Sequence, residues 1–219
     1  MATAFPIPLP APVTIAILGC MLTAAIMARS DDLYQLPPDL PVPEDDGACR
    51  HLSGLAVPSV PLRATSGHVV DLSSSRGRVV VYCYPRTGQP HVDPPPGWDA
   101  VPGARGCTPQ SCGFRDHFDQ MRSLRAQVFG LSTQDMAYQR EVVERLHLPF
   151  DLLSDAALVF THALRLPTFE IGGMTLLKRA TLIINDGRIE KVFYPVFPPD
   201  KNAEDVIEWL ARNTRSRSG

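Results

Sequence analysis

The stretch GARGCTPQSCGFRDHF, residues 103–118, carries two cysteines five positions apart, Cys107 and Cys112. Thr108 is a favourable N-cap and Pro109 a favourable first helical residue, so a helix is expected to begin just after Cys107. The apolar residues that follow recur at the spacing of one helical face: Phe114, Phe118, Met121 and Leu124. The stretch therefore predicts a helix with one thiol beside its first turn and the other within it.

Upstream of this helix, the run VVVYCY at residues 79–84 is continuous, β-branched and aromatic. Such a run is typical of a strand buried on both faces, in which Cys83 serves as a small hydrophobic residue. Residues 86–106 then contain five prolines and four glycines, which exclude regular secondary structure. We expect a long loop here, and loops of this length inside compact domains are often functional.

Downstream of the helix, strands and helices alternate until a hairpin and a last helix close the chain. The predicted elements are strands at 128–132 and 152–153, helices at 136–147, 156–164 and 203–213, and a hairpin of 181–184 with 189–196 through a turn at 185–187. This order predicts an α/β fold with a central mixed β-sheet flanked by helices on both faces, similar to the thioredoxin fold.

The predicted domain covers residues 36–215, with the loop 86–106 inserted in it, and residues 1–35 form a hydrophobic, proline-rich extension outside the fold. Within the extension, the uncharged run at 11–28 is borderline in length for spanning a bilayer. No Lys or Arg precedes the run, and no small-residue cleavage site follows it. The sequence therefore favours a dispensable extension on a cytoplasmic protein; a membrane anchor or an export signal is the alternative.

The composition excludes two broad classes of protein. With 21 basic and 23 acidic residues, the chain has a formal charge of -2, which predicts no bulk attraction to nucleic acid or to anionic membranes. A disulfide scaffold is not expected either, because the chain has only five cysteines in 219 residues and their number is odd. This cysteine usage fits a reducing compartment in which thiols serve chemistry.

The position of Cys107 predicts a reactive thiol. Unpaired backbone amides and the positive end of the helix dipole stabilise a thiolate over a thiol in the first turn. A thiolate attacks electrophilic oxygen or sulfur, and Cys112 is placed to trap the resulting sulfenic acid as a disulfide. In an ideal helix, Cα atoms five residues apart lie about 8 to 9 Å from each other, so the helix has to unwind locally to form that bond.

Two other interpretations of the thiols remain open. Both cysteines could be small buried hydrophobes, although a thiol between Gly106 and Thr108 is not expected in the core. Alternatively, Cys107, Cys112 and His117 form a C-x4-C-x4-H zinc set, which has wider spacing than usual and needs a distant fourth ligand.

The segment GCTPQSCGFRD resembles the active-site helix of Q-type (bacterioferritin-comigratory-type) peroxiredoxins. VVVYCYP is similar to the strand leading to that site, FGLSTQD to the following strand, LPFDLLSD to the segment after the next helix, and RATLIINDGRI to the strand that bears the family's active-site arginine. The resemblance covers about residues 55–211, and the ordered set is more specific than a lone C-x4-C.

The resemblance implies a thioredoxin-like fold and a thiol-dependent peroxidase acting on hydrogen peroxide or organic hydroperoxides. It makes Cys107 the peroxidatic cysteine, Cys112 the resolving cysteine and Arg179 the cation that holds the thiolate and polarises the peroxide. A thioredoxin-like protein or another dithiol would reduce the disulfide, without metal, flavin or haem. Since the disulfide is intramolecular, a monomer suffices and a dimer is equally compatible. Cys20 and Cys49 are expected to be bystanders.

The chain departs from the family pattern P-x-x-x-T-x-x-C. Ala104 occupies the threonine position, and fifteen additional residues separate Pro85 from Cys107. We expect Thr87, just after Pro85, to fold back and supply the missing hydroxyl. If it does not, Thr108 or backbone amides are left as the donors. The rival interpretation is a thioredoxin-fold redox sensor or binding module without efficient peroxidase turnover, because Ala104 and the inserted residues alter the pocket.

Overall fold

The computed structural model describes residues 33–215. The expectations for Cys20 and for the apolar run at 11–28 lie outside the described residues. In the described part, no helix is long and apolar enough to cross a bilayer. The elements in chain order are β1 Pro61–Ala64, β2 Val69–Asp71, β3 Arg78–Cys83, α1 Cys107–Asp116, α2 Phe118–Ser123, β4 Ala126–Ser132, α3 Met136–Leu146, β5 Leu152–Ser154, α4 Val159–Leu164, β6 Thr168–Ile171, β7 Met174–Leu177, β8 Ala180–Asn185, β9 Arg188–Phe193 and α5 Asn202–Arg215.

Within residues 33–215, seven strands form one sheet in the order β2-β1-β5-β4-β3-β8-β9. The inner strand β3 is parallel to β4 and antiparallel to β8, so the sheet is mixed, as predicted. All six residues of β3 are buried, because its apolar run faces a packed layer on each side. The predicted hairpin through 185–187 is formed by β8 and β9.

Helices cover both faces of the sheet. Side chains of β3 alternate between the two faces and pack with helices on each. On one face, Val80 and Tyr82 pack with residues of α1, α2, α3 and α5. On the other face, Val79 and Val81 pack with α4 and with residues 49–60. The predicted α/β architecture, a mixed sheet between helices, is confirmed.

The start of α1 differs from the prediction. The helix begins at Cys107, and its N-cap is Gly106 in a left-handed conformation with φ +95°, so Thr108 is not the cap. A Cβ atom on Gly106 would lie 2.8 Å from Cδ2 of Leu36 and closer still to Cγ of Pro199. The chain therefore enters the helix through a position that requires glycine.

The β6–β7 hairpin was not predicted. Among the strands of residues 33–215, these two pair with each other and with no third strand, and a turn at Gly172 and Gly173 joins them. A Gly-Gly pair between two short β-prone runs is a hairpin signal. The strands have only four residues each, so the alternation of Phe169 and Ile171 with polar residues is a short signal.

Candidate active site

Cys107 lies at the base of a pocket rather than on the surface. Its side chain is 3% exposed and packs with Tyr82, Tyr84 and Phe114, so the expectation that this thiol is outside the core is wrong. A pocket nevertheless reaches it, with walls formed mainly by the loop 86–106. The thiol is therefore shielded from bulk solvent but open to a ligand in this pocket.

Two segments far apart in sequence build the pocket. Loop 86–106 contributes Arg86, Trp98 and Arg105, and Leu33 and Gln35 contribute from the N-terminal side. The latter two belong to the stretch predicted to lie outside the fold. The boundary at residue 36 stays a prediction, but residues on its far side line the candidate site.

The positively charged guanidinium of Arg179 contacts the Cys107 sulfur. This residue joins β7 to β8, and its side chain is 3% exposed. Its Nη2 atom lies 3.1 Å from Sγ of Cys107. The same nitrogen lies 3.2, 3.3 and 2.9 Å from the carbonyl oxygens of Gly103, Ala104 and Arg105. Three backbone dipoles thus hold the guanidinium against the thiol.

A buried polar chain fixes the other end of the guanidinium. Nη1 of Arg179 donates to Oε1 of Gln110, which lies one helical turn after Cys107. Nε2 of Gln110 donates to Oδ1 of Asn202 at 2.9 Å, and Thr181 donates to the same oxygen at 2.6 Å. The Gln110 carboxamide therefore orients Arg179. Because this carboxamide is neutral, it does not neutralise the positive charge that faces the sulfur.

The position of the family threonine contains no hydroxyl. Ala104 is fully buried, and its carbonyl oxygen lies 3.5 Å from Sγ of Cys107. Thr87 lines the same pocket, but its hydroxyl donates to Oε1 of Gln134 at 3.3 Å. Its amide donates to the same oxygen at 3.1 Å, and its carbonyl accepts from Tyr138. Thr87 is thus near the site with its hydroxyl engaged elsewhere.

Cys112 lies on the same helix, half-buried against the same core cluster as Cys107. Burial raises the pKa of its thiol, and the nearby Arg115 guanidinium opposes that rise. None of the four cysteines in the described residues is bonded to another: Cys49, Cys83, Cys107 and Cys112. Because α1 contains both Cys107 and Cys112, a bond between them requires that the helix unwind.

A model of the family described as Redoxin matches residues 52–207 of the chain. The chain belongs to the redoxin family.

Curated relatives of this redoxin include chloroplastic peroxiredoxins Q of plants. The protein of Oryza sativa subsp. japonica is 32% identical over 159 residues, which span 72% of this chain and 65% of the relative. The chain thus spans just under two thirds of that relative's length. The protein of Populus jackii is 30% identical and is covered to 67%, against 72% of this chain. These similarities identify the chain as a Q-type peroxiredoxin of the redoxin family.

Solved structures of similar fold include a peroxidoxin of Mycobacterium tuberculosis. It matches this redoxin with a TM-score of 0.59 and 26% identity, over 73% of this chain and 96% of that one. A peroxiredoxin Q of Xanthomonas campestris matches with a TM-score of 0.57 and 18% identity, over 80% and 98% of the two chains. The second likeness concerns the fold alone, and together they confirm the predicted thioredoxin-like fold.

The zinc interpretation finds no support in this redoxin. Within residues 33–215, no three or more His, Cys, Asp or Glu side chains converge as metal ligands, so Cys107, Cys112 and His117 do not form such a set.

Cys49 and Cys83 are buried in the core cluster on the other face of the sheet. Burial raises the pKa of Cys49 to about 12 and also raises that of Cys83.

Several residues around the site of this redoxin were not predicted to belong to it. Gln110 follows Cys107 by three positions, and this helical spacing is a signal that both side chains share a face. Trp98 is 7% exposed and packs against Ala104, although its sequence neighbours are prolines, glycine and aspartate. Neither Asn202 nor Leu33 carries a local signal for a role at the site.

Proposed function

We propose that this redoxin is a thiol-dependent peroxidase that reduces hydrogen peroxide or an organic hydroperoxide at Cys107. The observation that carries the proposal is the 3.1 Å contact between Nη2 of Arg179 and Sγ of Cys107 at the base of a pocket. A guanidinium donor at this distance can hydrogen-bond to the sulfur and to a peroxide oxygen bound beside it. The similarity to plant peroxiredoxins Q supports this assignment.

In the first step, the Cys107 thiolate attacks the distal oxygen of the hydroperoxide. A sulfur–oxygen bond forms and the oxygen–oxygen bond breaks, which gives a sulfenic acid on Cys107 and an alcohol or water after protonation of the leaving oxygen. Arg179 can donate to the attacking sulfur and to the oxygen on which negative charge develops. The reaction oxidises the sulfur by two electrons and reduces the peroxide by two.

In the second step, the Cys112 thiolate attacks the Cys107 sulfur. The sulfur–sulfur bond forms, the sulfur–oxygen bond breaks, and the hydroxide that leaves takes up the proton lost by the Cys112 thiol to give water. Half-burial and the raised pKa of Cys112 disfavour this attack while α1 is folded, so unwinding of α1 both shortens the distance and exposes the second thiol. A thioredoxin-like protein or another dithiol then reduces the disulfide.

Thr87 is proposed as the hydroxyl that replaces the family threonine. It lines the pocket beside Cys107, and breaking its 3.3 Å bond to Gln134 would free its hydrogen for a peroxide oxygen. A Thr87→Val variant that oxidises at the original rate would leave Thr108 or backbone amides as the donors. Thr161→Val, which removes a hydroxyl bonded to Asp155 outside the pocket, is the control for loss of a buried hydroxyl.

The proposed partners are a peroxide and a protein dithiol. The net charge of -2 gives no reason to expect nucleic acid, and both reacting thiols lie on one helix, so a monomer suffices. We propose a cytoplasmic location, because the cysteine usage fits a reducing compartment and no Lys or Arg precedes the apolar run at 11–28. Membrane attachment through residues 11–28 is the alternative.

Rapid mixing of the reduced protein with hydrogen peroxide tests the function. We expect Cys107 to be oxidised orders of magnitude faster than free cysteine. Cys107→Ser should abolish peroxide consumption, and Cys112→Ser should keep one fast oxidation but block recycling by a dithiol. Cys49→Ser serves as the control thiol. Oxidation as slow as that of free cysteine would overturn the peroxidase proposal and favour a redox sensor, for which the missing threonine hydroxyl is the structural argument.

A further inference from the structure

Loop 86–106 and the β6–β7 hairpin form a small core of their own beside the active site. Trp98, Ala104 and Leu176 are its buried members, and Phe169 and Met174 pack on it. The Trp98 and Phe169 ring centroids are 6.2 Å apart. The loop is therefore docked on the hairpin through a packed apolar contact rather than left in solvent.

Short turns connect Trp98 to the carbonyl groups that hold Arg179. The amide of Val101 donates to the Trp98 oxygen at 3.2 Å, and the amide of Ala104 donates to the Val101 oxygen at 3.1 Å. An ion pair between Arg105 and Asp99 links the start and the end of the segment 98–105. Fixing the indole thus fixes the backbone at 103–105.

The hairpin brings Arg179 to the same place from the other side. β7 ends at Leu177, two residues before Arg179, and Leu176 belongs to the small core. No carboxylate pairs with the Arg179 guanidinium among residues 33–215. Its position therefore depends on neutral acceptors, of which the loop supplies three. A buried cation held by carbonyl dipoles is stabilised only when their oxygen atoms are accurately placed.

We propose that Trp98 is a positioning residue for the reaction at Cys107: it locks loop 86–106 so that the carbonyl oxygens at 103–105 hold Arg179 on the sulfur. This inference rests on the proposed peroxidase function, which it deepens. Trp98 also lines the pocket, so the indole contributes to its wall as well as setting the geometry of the guanidinium.

Trp98→Ala and Trp98→Phe separate positioning from mere stability. A misplacement of about 1 Å costs about a hundredfold in rate, so we expect Trp98→Ala to slow Cys107 oxidation by about 10- to 100-fold. Trp98→Phe keeps an aromatic plug and should recover most of the rate. Trp209→Ala is the control, because Trp209 lies on α5 against Arg78 and does not line the pocket; it should lower the melting temperature without slowing oxidation. Equal slowing by both alanine variants would overturn the proposal.

A cycle with Arg179→Ala gives the sharper test, because Trp98 is argued to act through that side chain. In the Arg179→Ala background, Trp98→Ala should have no further effect on oxidation. Slowing by the same factor as in the original protein would overturn the proposal. Should Trp98→Ala fail to fold, Asp99→Ala breaks the ion pair to Arg105 without opening the small core and should slow oxidation by about threefold, by the same misplacement argument. An unchanged rate in Asp99→Ala would contradict the role of the loop.

A second readout distinguishes failure of this inference from failure of the peroxidase proposal. Alkylation of Cys107 by iodoacetamide, followed by mass spectrometry, reports the thiolate without peroxide. If the original protein reacts slowly with peroxide but both Trp98→Ala and Arg179→Ala slow alkylation, Trp98 positions Arg179 and the peroxidase proposal fails. If neither variant changes alkylation or oxidation, the positioning role is wrong.

Discussion

Replacing Gly106 by alanine tests how closely the chain packs around the start of α1. Gly106 has φ +95°, and an added Cβ would lie 2.8 Å from Cδ2 of Leu36 and closer to Pro199. Left-handed backbone costs an ordinary residue about 1–2 kcal/mol. Overpacking adds about 1–3 kcal/mol. Gly106→Ala should therefore lower the free energy of unfolding by about 2–5 kcal/mol, the sum of these two ranges.

Gly67→Ala is the matched control, because Gly67 has φ +92° and a Cβ atom added there would meet no other atom within 4 Å. It should cost only the backbone contribution of about 1–2 kcal/mol. Urea denaturation of both variants, with a common m-value, gives the two losses. Their difference, expected at about 1–3 kcal/mol, measures the contact with Leu36 and Pro199 alone.

Equal losses for the two variants, within about 0.5 kcal/mol, would refute the close approach of Leu36 and Pro199 to Gly106. The same pair of variants also separates stability from function. Cys107 directly follows Gly106, so Gly106→Ala should slow its oxidation in rapid mixing, whereas Gly67→Ala should leave the rate unchanged. An oxidation rate preserved in both would show that the N-cap does not set the position of the thiol.

Arg179→Lys should slow Cys107 oxidation by about a hundredfold, because one ammonium cannot replace the planar guanidinium that spans three carbonyls, Gln110 and sulfur; a loss under about threefold in rapid mixing would contradict this geometry. Burial raises the pKa of Cys49 from 9.0 to about 12, so the native protein keeps a proton that the unfolded chain releases, and stability should fall as pH rises from 9.0 towards 12. Melting temperatures across this range should fall less steeply for Cys49→Ala, and parallel curves would count against the assignment. Leu33→Ala removes an apolar side chain from the pocket and should raise KM for a bulky organic hydroperoxide more than for hydrogen peroxide in steady-state assays; an equal change for both would place Leu33 outside the substrate path.

The elements nearest the site show how far local patterns reach. The buried strand, the helix with both thiols and the β8–β9 hairpin followed from apolar spacing and turn residues, with small errors in their ends. The N-cap was misassigned because the rule that favours Thr108 is local, whereas Leu36 and Pro199 impose a glycine at 106. The β6–β7 hairpin was missed although a Gly-Gly pair marks its turn, because its two strands have only four residues each.

The candidate site divides in the same way. Arg179 was named because the chain resembles the peroxiredoxin family. Nothing in the sequence around residue 179 shows that its side chain contacts a sulfur 72 positions away. Trp98 looked like part of an irregular loop, and its burial follows from docking on a hairpin more than sixty residues further along the chain. Thr87 was expected to point its hydroxyl into the pocket, and its bond to Gln134 depends on the segment after β4.

By itself the sequence determined the buried strand β3, the helix that carries two thiols, and the strands and helices that follow it apart from the β6–β7 hairpin, because periodicity and turn chemistry act over a few residues. Only the tertiary structure decided that Cys107 is buried, that three loop carbonyls and Gln110 hold Arg179 against it, and that Leu33 and Trp98 line its pocket. Those contacts arise from strand pairing and loop docking between distant segments, and their register depends on the whole packed sheet rather than on any one stretch.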